Sequence, residues 1–400
     1  MTGLRDGYDV VVVGARAAGA PTAMLLARAG ARVALLDRAR YGSDTVSTHG
    51  LMRAGVLQLS RWGLLEEIVA AGTPPVRSTT FHYSDDEPVH ISLRRSPGVD
   101  ALYAPRRHLL DRVLVDAAAR AGADVAHGTA VSSLLWDGAG RVHGVRAHGP
   151  AGALELPARL VLGADGVGSR VAREVRAPVL RHGRTGSAVR YAYVVDPGAG
   201  GYEWAYGDRA AAGLIPTDDG LSCVFVATTP ERLRHLGRGL SADGVLRRLL
   251  GDAGPALAAR VDLGTRVGPV RGWGGMRGFV RRSWGPGWAL VGDAAYFKDP
   301  ISTHGITDAL RDADLLAGAV LAVLSGASES VALGGFERTR DALSGRLLET
   351  SDAIAAYDWR GSEVQPLLRR LNAAMADEVE LLQQRPVVPL LPADAAVPGR

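Results

Sequence analysis

The chain has 400 residues, more than one ordinary domain, and its 47% hydrophobic and 22% charged content is that of a core-forming protein rather than a disordered one. A net charge of only +4, with no long basic run, gives no nucleic-acid-binding footprint. A lone cysteine, Cys223, excludes an internal disulfide, and no apolar run reaches the ~20 residues of a membrane span. The N-terminus lacks a signal-peptide pattern, so a cytoplasmic protein is expected.

Tyr8–Val13 is a β-branched run that predicts a buried parallel strand ending at Gly14. Ala17–Gly30, rich in Ala and Leu, predicts a helix, and Ala31–Asp37 a second strand, which completes a βαβ unit. Arg77–Leu93 reads as two strands with a turn at Asp85–Glu87. Pro105–Ala121 is an amphipathic helix followed by the strand Asp124–His127. A hairpin is expected around Asp137–Gly140 and a short buried strand at Leu160–Ala164. Ser187–Val195, Gly201–Tyr206, Ala211–Pro216 and Leu221–Ala227 are short strands separated by Gly, Asp and Pro turns, the pattern of an antiparallel sheet. Trp288–Gly292 is a further buried strand and Ile306–Ser325 a long apolar helix. The rest, to Gln384, is helical, with Ser362 and Pro366 as helix-start residues.

This order predicts an α/β fold. A Rossmann-like domain is assembled from residues 1–75, 101–176 and 270–335. A mainly antiparallel substrate domain is inserted from 76–100 and 177–269. Helices over 336–384 close the structure, with a loose tail over 385–400.

Three segments carry chemistry. Gly14-Ala15-Arg16-Ala17-Ala18-Gly19 follows a strand and opens a helix, the context of a dinucleotide fingerprint. Gly14 makes the tight turn, Gly19 allows close helix–strand packing, and the helix N-terminus offers amides to a pyrophosphate. Arg16 stands where glycine is usual, so its side chain either turns away or reaches over the phosphates as a cation. Asp37 ends the second strand about 20 residues on, where a carboxylate binds a ribose hydroxyl. The second segment is Gly163-Ala164-Asp165-Gly166-Val167-Gly168-Ser169-Arg170, and the third Gly292-Asp293-Ala294-Ala295, continuing to Pro300 and Gly305. Each sets one carboxylate at a strand end among small residues.

In this order the three segments resemble the nucleotide fingerprint, DG motif and GD motif of the class A flavoprotein monooxygenases, the family of para-hydroxybenzoate hydroxylase. The likeness spans roughly residues 8–330. Arg53, in Arg53-Ala54-Gly55-Val56-Leu57, and Arg107, in Arg107-His108-Leu109-Leu110-Asp111, resemble the family's arginines near FAD. Pro216 resembles a proline of the substrate sheet. The resemblance implies non-covalent FAD held by Gly14, Arg16, Ala17, Ala18, Gly19, Asp37, Arg38, Arg53, Arg107, Val131, Asp165, Gly166, Asp293, Pro300, Gly305 and Ile306, and no metal. Asp293 is expected on the ribityl chain and Asp165 in the diphosphate region. NAD(P)H is implied as a transient electron donor, since no second fingerprint exists. O2 is implied as co-substrate, activated as a flavin C4a-hydroperoxide that oxygenates an aromatic or polyketide-like small molecule, with the protein positioning and shielding.

The chain departs from the family in the loop after the GD motif, where Tyr296 replaces the usual His and Ser302-Thr303-His304-Gly305 the usual glycine-rich turn. Lys298 is the only lysine of the chain, in a loop expected beside the flavin. Lys298, His304 and His49 are the candidate catalytic side chains; a bound or solvent-facing pair, such as Lys298 with Asp299, is the alternative. Tyr191 and Tyr193 share one face at period 2, and Tyr202, Trp204 and Tyr206 another; Tyr191, Tyr193, Trp204, Tyr206, Pro216 and Pro300 are candidate substrate contacts. Three other readings stand beside the monooxygenase: a geranylgeranyl-reductase-like reductase of C=C bonds, a flavin-dependent halogenase, and a flavoprotein without turnover. The C-terminal helices offer a face for a homodimer.

Overall fold

The computed structural model describes residue 4 and residues 7–84, 87–195, 200–262 and 264–386. Asp85 and Asp86 of the expected turn and nearly all of the expected tail lie outside them.

The chain opens with β1 (Tyr8–Val13), α1 (Gly19–Arg28) and β2 (Val33–Asp37), then α2 (Arg53–Arg61) and α3 (Leu65–Ala70). It crosses to β3 (Ser78–Tyr83) and β4 (Val89–Ser92) and returns through α4 (Arg107–Arg120), β5 (Asp124–His127), β6 (Ala130–Trp136), β7 (Val142–Gly149), β8 (Gly152–Gly163) and α5 (Arg170–Glu174). β9 (Val179–His182) precedes β10 (Ala188–Val195), β11 (Tyr202–Gly207), β12 (Ala210–Pro216) and β13 (Leu221–Thr228). Three helices, α6 (Pro230–Leu236), α7 (Ala242–Ala253) and α8 (Pro255–Asp262), lead to β14 (Thr265–Trp273), β15 (Phe279–Arg281), β16 (Trp284–Gly285), β17 (Trp288–Leu290) and β18 (Tyr296–Phe297). The chain ends in α9 (Gly305–Leu324), α10 (Glu329–Ile354) and α11 (Gln365–Gln384).

Two sheets organise these elements. The first runs β16-β17-β8-β1-β2-β5, with β6 and β7 attached beside β8. β1 is parallel to both β2 and β8, and Val10, Val11 and Val12 are fully buried between them. That double burial is why β1 reads as an unbroken apolar run. The second sheet runs β14-β10-β13-β12-β11-β3-β4 and is antiparallel except where β11 pairs with β3.

Alternation sorts the second sheet by size. Tyr191, Tyr193, Tyr202, Trp204, Tyr206 and Phe225 project into the large core shared with α1, α2 and α9. Ala192, Ala205, Ala212, Val224 and Val226 project the other way, onto Leu246, Leu249 and Leu250 of α7. The two aromatic groups expected on separate faces therefore share one face of one sheet. Gly213 lies between Trp204 and Phe225 in register, and a Cβ there would meet the Phe225 ring at 2.4 Å.

Several expectations are corrected. The strand expected at Leu160–Ala164 is a twelve-residue strand, β8, because Leu154, Leu156 and Ala158 alternate against the β7 hairpin before the buried run begins. α4 starts at Arg107, because Arg106 is extended, its amide donating to Asp218 at 2.7 Å. The start residue before α11 is Arg360 rather than Ser362: Arg360 and Glu363 close a 3-10 turn over Gly361–Val364, and Pro366 sits in the first turn of α11. β9, β15 and β18, unforeseen, form a three-stranded sheet that includes the start of the loop after Gly292-Asp293.

Candidate cofactor cleft and active site

A continuous cleft of about 880 Å3 runs between the two sheets. Its first part is built by the β1–α1 turn. Gly14 has φ +103° and a Cβ there would come within 2.4 Å of the Ala164 carbonyl oxygen, so the fingerprint turn and the β8 turn touch through backbone. Gly19 lies off the cleft and packs against Gly14 and Ala164. Ala17 and Ala18 bring the N-terminal end of α1 to the cleft wall. Arg16 also borders the cleft, but its guanidinium turns to Asp111 (3.6 Å) and Ser43 (3.4 Å). Asp111 simultaneously binds Arg107 at 2.9 Å, so one buried carboxylate holds two arginines. Asp37 accepts the Ala15 and Ala39 amides, each at 2.7 Å, which fixes its carboxylate at the cleft edge beside Arg38.

The other two motifs face this turn across the cleft. Asp165 accepts the Arg170 amide at 2.6 Å through one oxygen, and its second oxygen is buried with no partner among the described residues. Gly166 and Gly305 line the cleft, and a Cβ on either meets nothing within 4 Å. Asp293 lines it too, and enclosure pushes its carboxyl up to about 6, against the pull of Lys298. Val131, Pro300 and Ile306 complete the wall. Open glycine positions, an unpaired carboxylate oxygen and two helix N-termini fit a ligand that carries a diphosphate and several hydroxyls. Arg53 is not part of this wall; it donates to the Arg94 carbonyl.

Behind the loop after the GD motif lies a buried charge cluster. Lys298 is 4% exposed and contacts Asp308, not its neighbour Asp299, which instead accepts the Ser187 and Ile301 amides. His304 is wholly buried between Asp308 (3.0 Å) and Glu378 (3.2 Å). Arg311 reaches Asp308 at 3.1 Å, Asp312 at 2.7 Å and Ser344 at 3.0 Å, and also contacts Glu378. His304, Asp308 and Glu378 bring three ligand-type atoms within 4.8 Å of one another. Lys298 and Arg311 bring positive charge to these carboxylates as ion pairs. Glu378 is missed by the sequence reading, although it falls on the apolar stripe of α11 with Leu371, Ala374 and Leu382, the mark of a buried carboxylate.

The far end of the cleft abuts the second sheet. Val189 and Tyr191 of β10, Trp273 of β14 and Phe297 of β18 line it, and the Trp273 and Phe297 rings are 6.3 Å apart. Trp273 Nε1 is buried with no partner among the described residues. His49 lines the cleft in a left-handed conformation, φ +68°, and its Nε2 lies 2.5 Å from the Tyr193 hydroxyl. Burial, helped by Arg107, pushes the imidazole down to about 3, so His49 is neutral. Tyr193, Trp204, Tyr206 and Pro216 do not line the cleft. Trp204 packs on Phe225 and Tyr202, Tyr206 on Tyr83 and Trp359, and Pro216 ends β12 opposite Ser222.

A protein family described as "FAD binding domain" matches residues 7–351. The chain belongs to this family. FAD is thus the cofactor of the cleft, and the fold is that of the para-hydroxybenzoate-hydroxylase-like flavoproteins. This flavoprotein is 30% identical over 325 residues to digeranylgeranylglycerophospholipid reductase 2 of Methanopyrus kandleri, covering 76% of this chain and 74% of the relative. It is 28% identical over 383 residues to aklavinone 12-hydroxylase DnrF of Streptomyces peucetius, covering 88% and 75%. The structure of the flavin-dependent brominase Bmp2 superposes with a TM-score of 0.78 at 17% identity, covering 94% and 93%, a likeness of fold alone. The chain is an FAD-dependent oxidoreductase. Gly14, Ala17, Ala18, Asp37, Arg107, Asp165 and Asp293 line the cleft and would hold FAD there. When bound, FAD supplies the two-electron chemistry, and the protein orients reactants and excludes water. Among the described residues no helix is long and apolar enough to cross a membrane.

Proposed function

We propose that this flavoprotein is an NAD(P)H-dependent monooxygenase that inserts one oxygen atom from O2 into a planar aromatic or polyketide-like small molecule. The observation that carries this reading is the wall made by Tyr191, Trp273 and Phe297 where the cleft meets the substrate sheet. Flat rings brought to one wall from two sheets suit a planar ligand, and Trp273 Nε1 is a donor left for an acceptor on it. The extended likeness to aklavinone 12-hydroxylase, a hydroxylase by name, supports it.

A second reading, reduction of a C=C bond, is favoured by the likeness to the Methanopyrus reductase. Halogenation is the weaker alternative, because Lys298 lies inside the flavin loop and no other lysine exists. One experiment separates them. The FAD-loaded protein is mixed with NADH or NADPH, with and without aromatic polyketides, while flavin bleaching and O2 uptake are followed. Substrate-stimulated bleaching with O2 uptake and an oxygenated product is expected. Product formation under anaerobic conditions would replace this reading by the reductase.

A further inference from the structure

Asp308 is the bridge of the buried cluster. Its Oδ1 faces His304 Nδ1 at 3.0 Å, and its Oδ2 contacts Lys298 Nζ. Lys298, His304 and Asp308 all border the cleft, whereas Arg311, Asp312 and Glu378 stand behind them, fully buried. The groups facing Lys298 come from every neighbouring element: Asp293 of the GD turn, the Tyr296 ring at 5.5 Å, Asp308, Arg311 and Asp312 of α9, and Glu378 of α11.

Three carboxylates, Asp308, Asp312 and Glu378, here meet one guanidinium, one amine and one imidazole. An imidazole with a carboxylate at each nitrogen satisfies both only as imidazolium, since the neutral ring has a single N–H. Burial acts against that charge and pulls His304 down, and it pulls Lys298 down to about 7. Burial would raise Glu378, but the charges of His304 and Arg311 hold it at about 2, so it remains a carboxylate. The cluster holds a proton that neither His304 nor Lys298 keeps outright.

We propose that Lys298 is the acid–base residue of the cleft, that His304 is its proton store through Asp308, and that Glu378 is the positioning residue that biases the store. A reactant atom gaining electron density takes a proton from the Lys298 ammonium, breaking one Nζ–H bond and forming one bond to hydrogen. Asp308 Oδ1 accepts the Nδ1 proton of His304, and the neutral carboxyl group, on turning its protonated oxygen to the amine, gives that proton to Lys298 Nζ and is a carboxylate again; His304 is left neutral, its Nε2–H 3.2 Å from Glu378 Oε2. Solvent in the cleft returns the proton. Oxygen insertion and C=C reduction each consume a proton, so the inference rests on the flavoprotein assignment and not on the choice between them. Glu378 lies beyond residues 7–351, outside the family match.

Because Lys298 is the only lysine, ε-13C-lysine labelling of the FAD-loaded protein yields one side-chain signal. Its shift, followed from mildly acidic to alkaline pH without substrate or turnover, reads the Lys298 midpoint whatever reaction is catalysed. The expected midpoint is about 7. Glu378→Gln removes a charge that favours the ammonium and lowers the midpoint by about one pH unit. A midpoint at the ordinary lysine value of about 10.4, or one unmoved in folded Glu378→Gln, overturns the proposal. Should Glu378→Gln not fold, Lys298→Arg provides the check, because a guanidinium does not release its proton. FAD binding and its visible spectrum are kept, and the product-forming step slows about a hundredfold; a wild-type rate overturns the proposal.

Discussion

Arg16 Nη1 lies 3.6 Å from Asp111 Oδ2, so the side chain that replaces the central fingerprint glycine is tied to protein at the cleft rim. Asp111 is the more consequential partner, because it also holds Arg107 through two nitrogens. Arg16→Ala removes a partly exposed interaction and costs under about 1 kcal/mol. Asp111→Ala leaves buried guanidinium charge unpaired, costs about 3 kcal/mol and weakens FAD binding at least about tenfold. Urea denaturation and FAD titration of the apoprotein check both; equal effects for the two variants would refute the ranking.

Gly14 allows no side chain. Gly14→Ala combines a φ of +103° with a carbonyl oxygen 2.4 Å from the new Cβ. A loss of about 2 to 4 kcal/mol is expected, with FAD lost on purification. A yellow protein of wild-type melting temperature would show that the two turns separate freely.

His49 gives a stability signature in acid. Its folded value of about 3 lies below the ordinary 6.5, so between these pH values the unfolded chain binds one more proton than the folded one. This contribution to stability is present above pH 6.5 and is lost as pH falls toward 3. The slope is about 1.4 kcal/mol per pH unit for one proton. His49→Asn, chosen because Asn tolerates positive φ, flattens the unfolding profile in that window. Identical pH slopes for variant and wild type would place His49 in contact with water.

Tyr191 and Trp204 separate recognition from packing. Tyr191→Ala alters the cleft wall and raises KM for a planar substrate with little change in FAD binding. Trp204→Ala removes a core ring between Tyr202 and Phe225 and costs about 3 to 5 kcal/mol. Calorimetry and steady-state kinetics on the two variants are expected to show opposite patterns.

Much of this architecture is legible in the chain. β1, β5 and the strands from Ala188 to Thr228 follow from local periodicity, since each is buried on one face or both. The carboxylates Asp37, Asp165 and Asp293 are legible because each ends such a strand. β9, β15 and β18 are not, being too short to show a period and held only by one another. The direction of Arg16 depends on Asp111, which α4 delivers from a distant part of the sequence. Lys298 stands out by count alone, whereas Glu378, a carboxylate on the apolar stripe of α11 with Leu371, Ala374 and Leu382, does not reveal which cations it meets until α11 docks.

That docking bears on the order in which the protein is made. The fingerprint at Gly14 is synthesised well before Glu378. Until α11 is synthesised and packed, Arg311 and His304 lack the carboxylate that balances them. The nucleotide fold can thus form before the buried cluster beside it reaches its final electrostatic state, which requires α11.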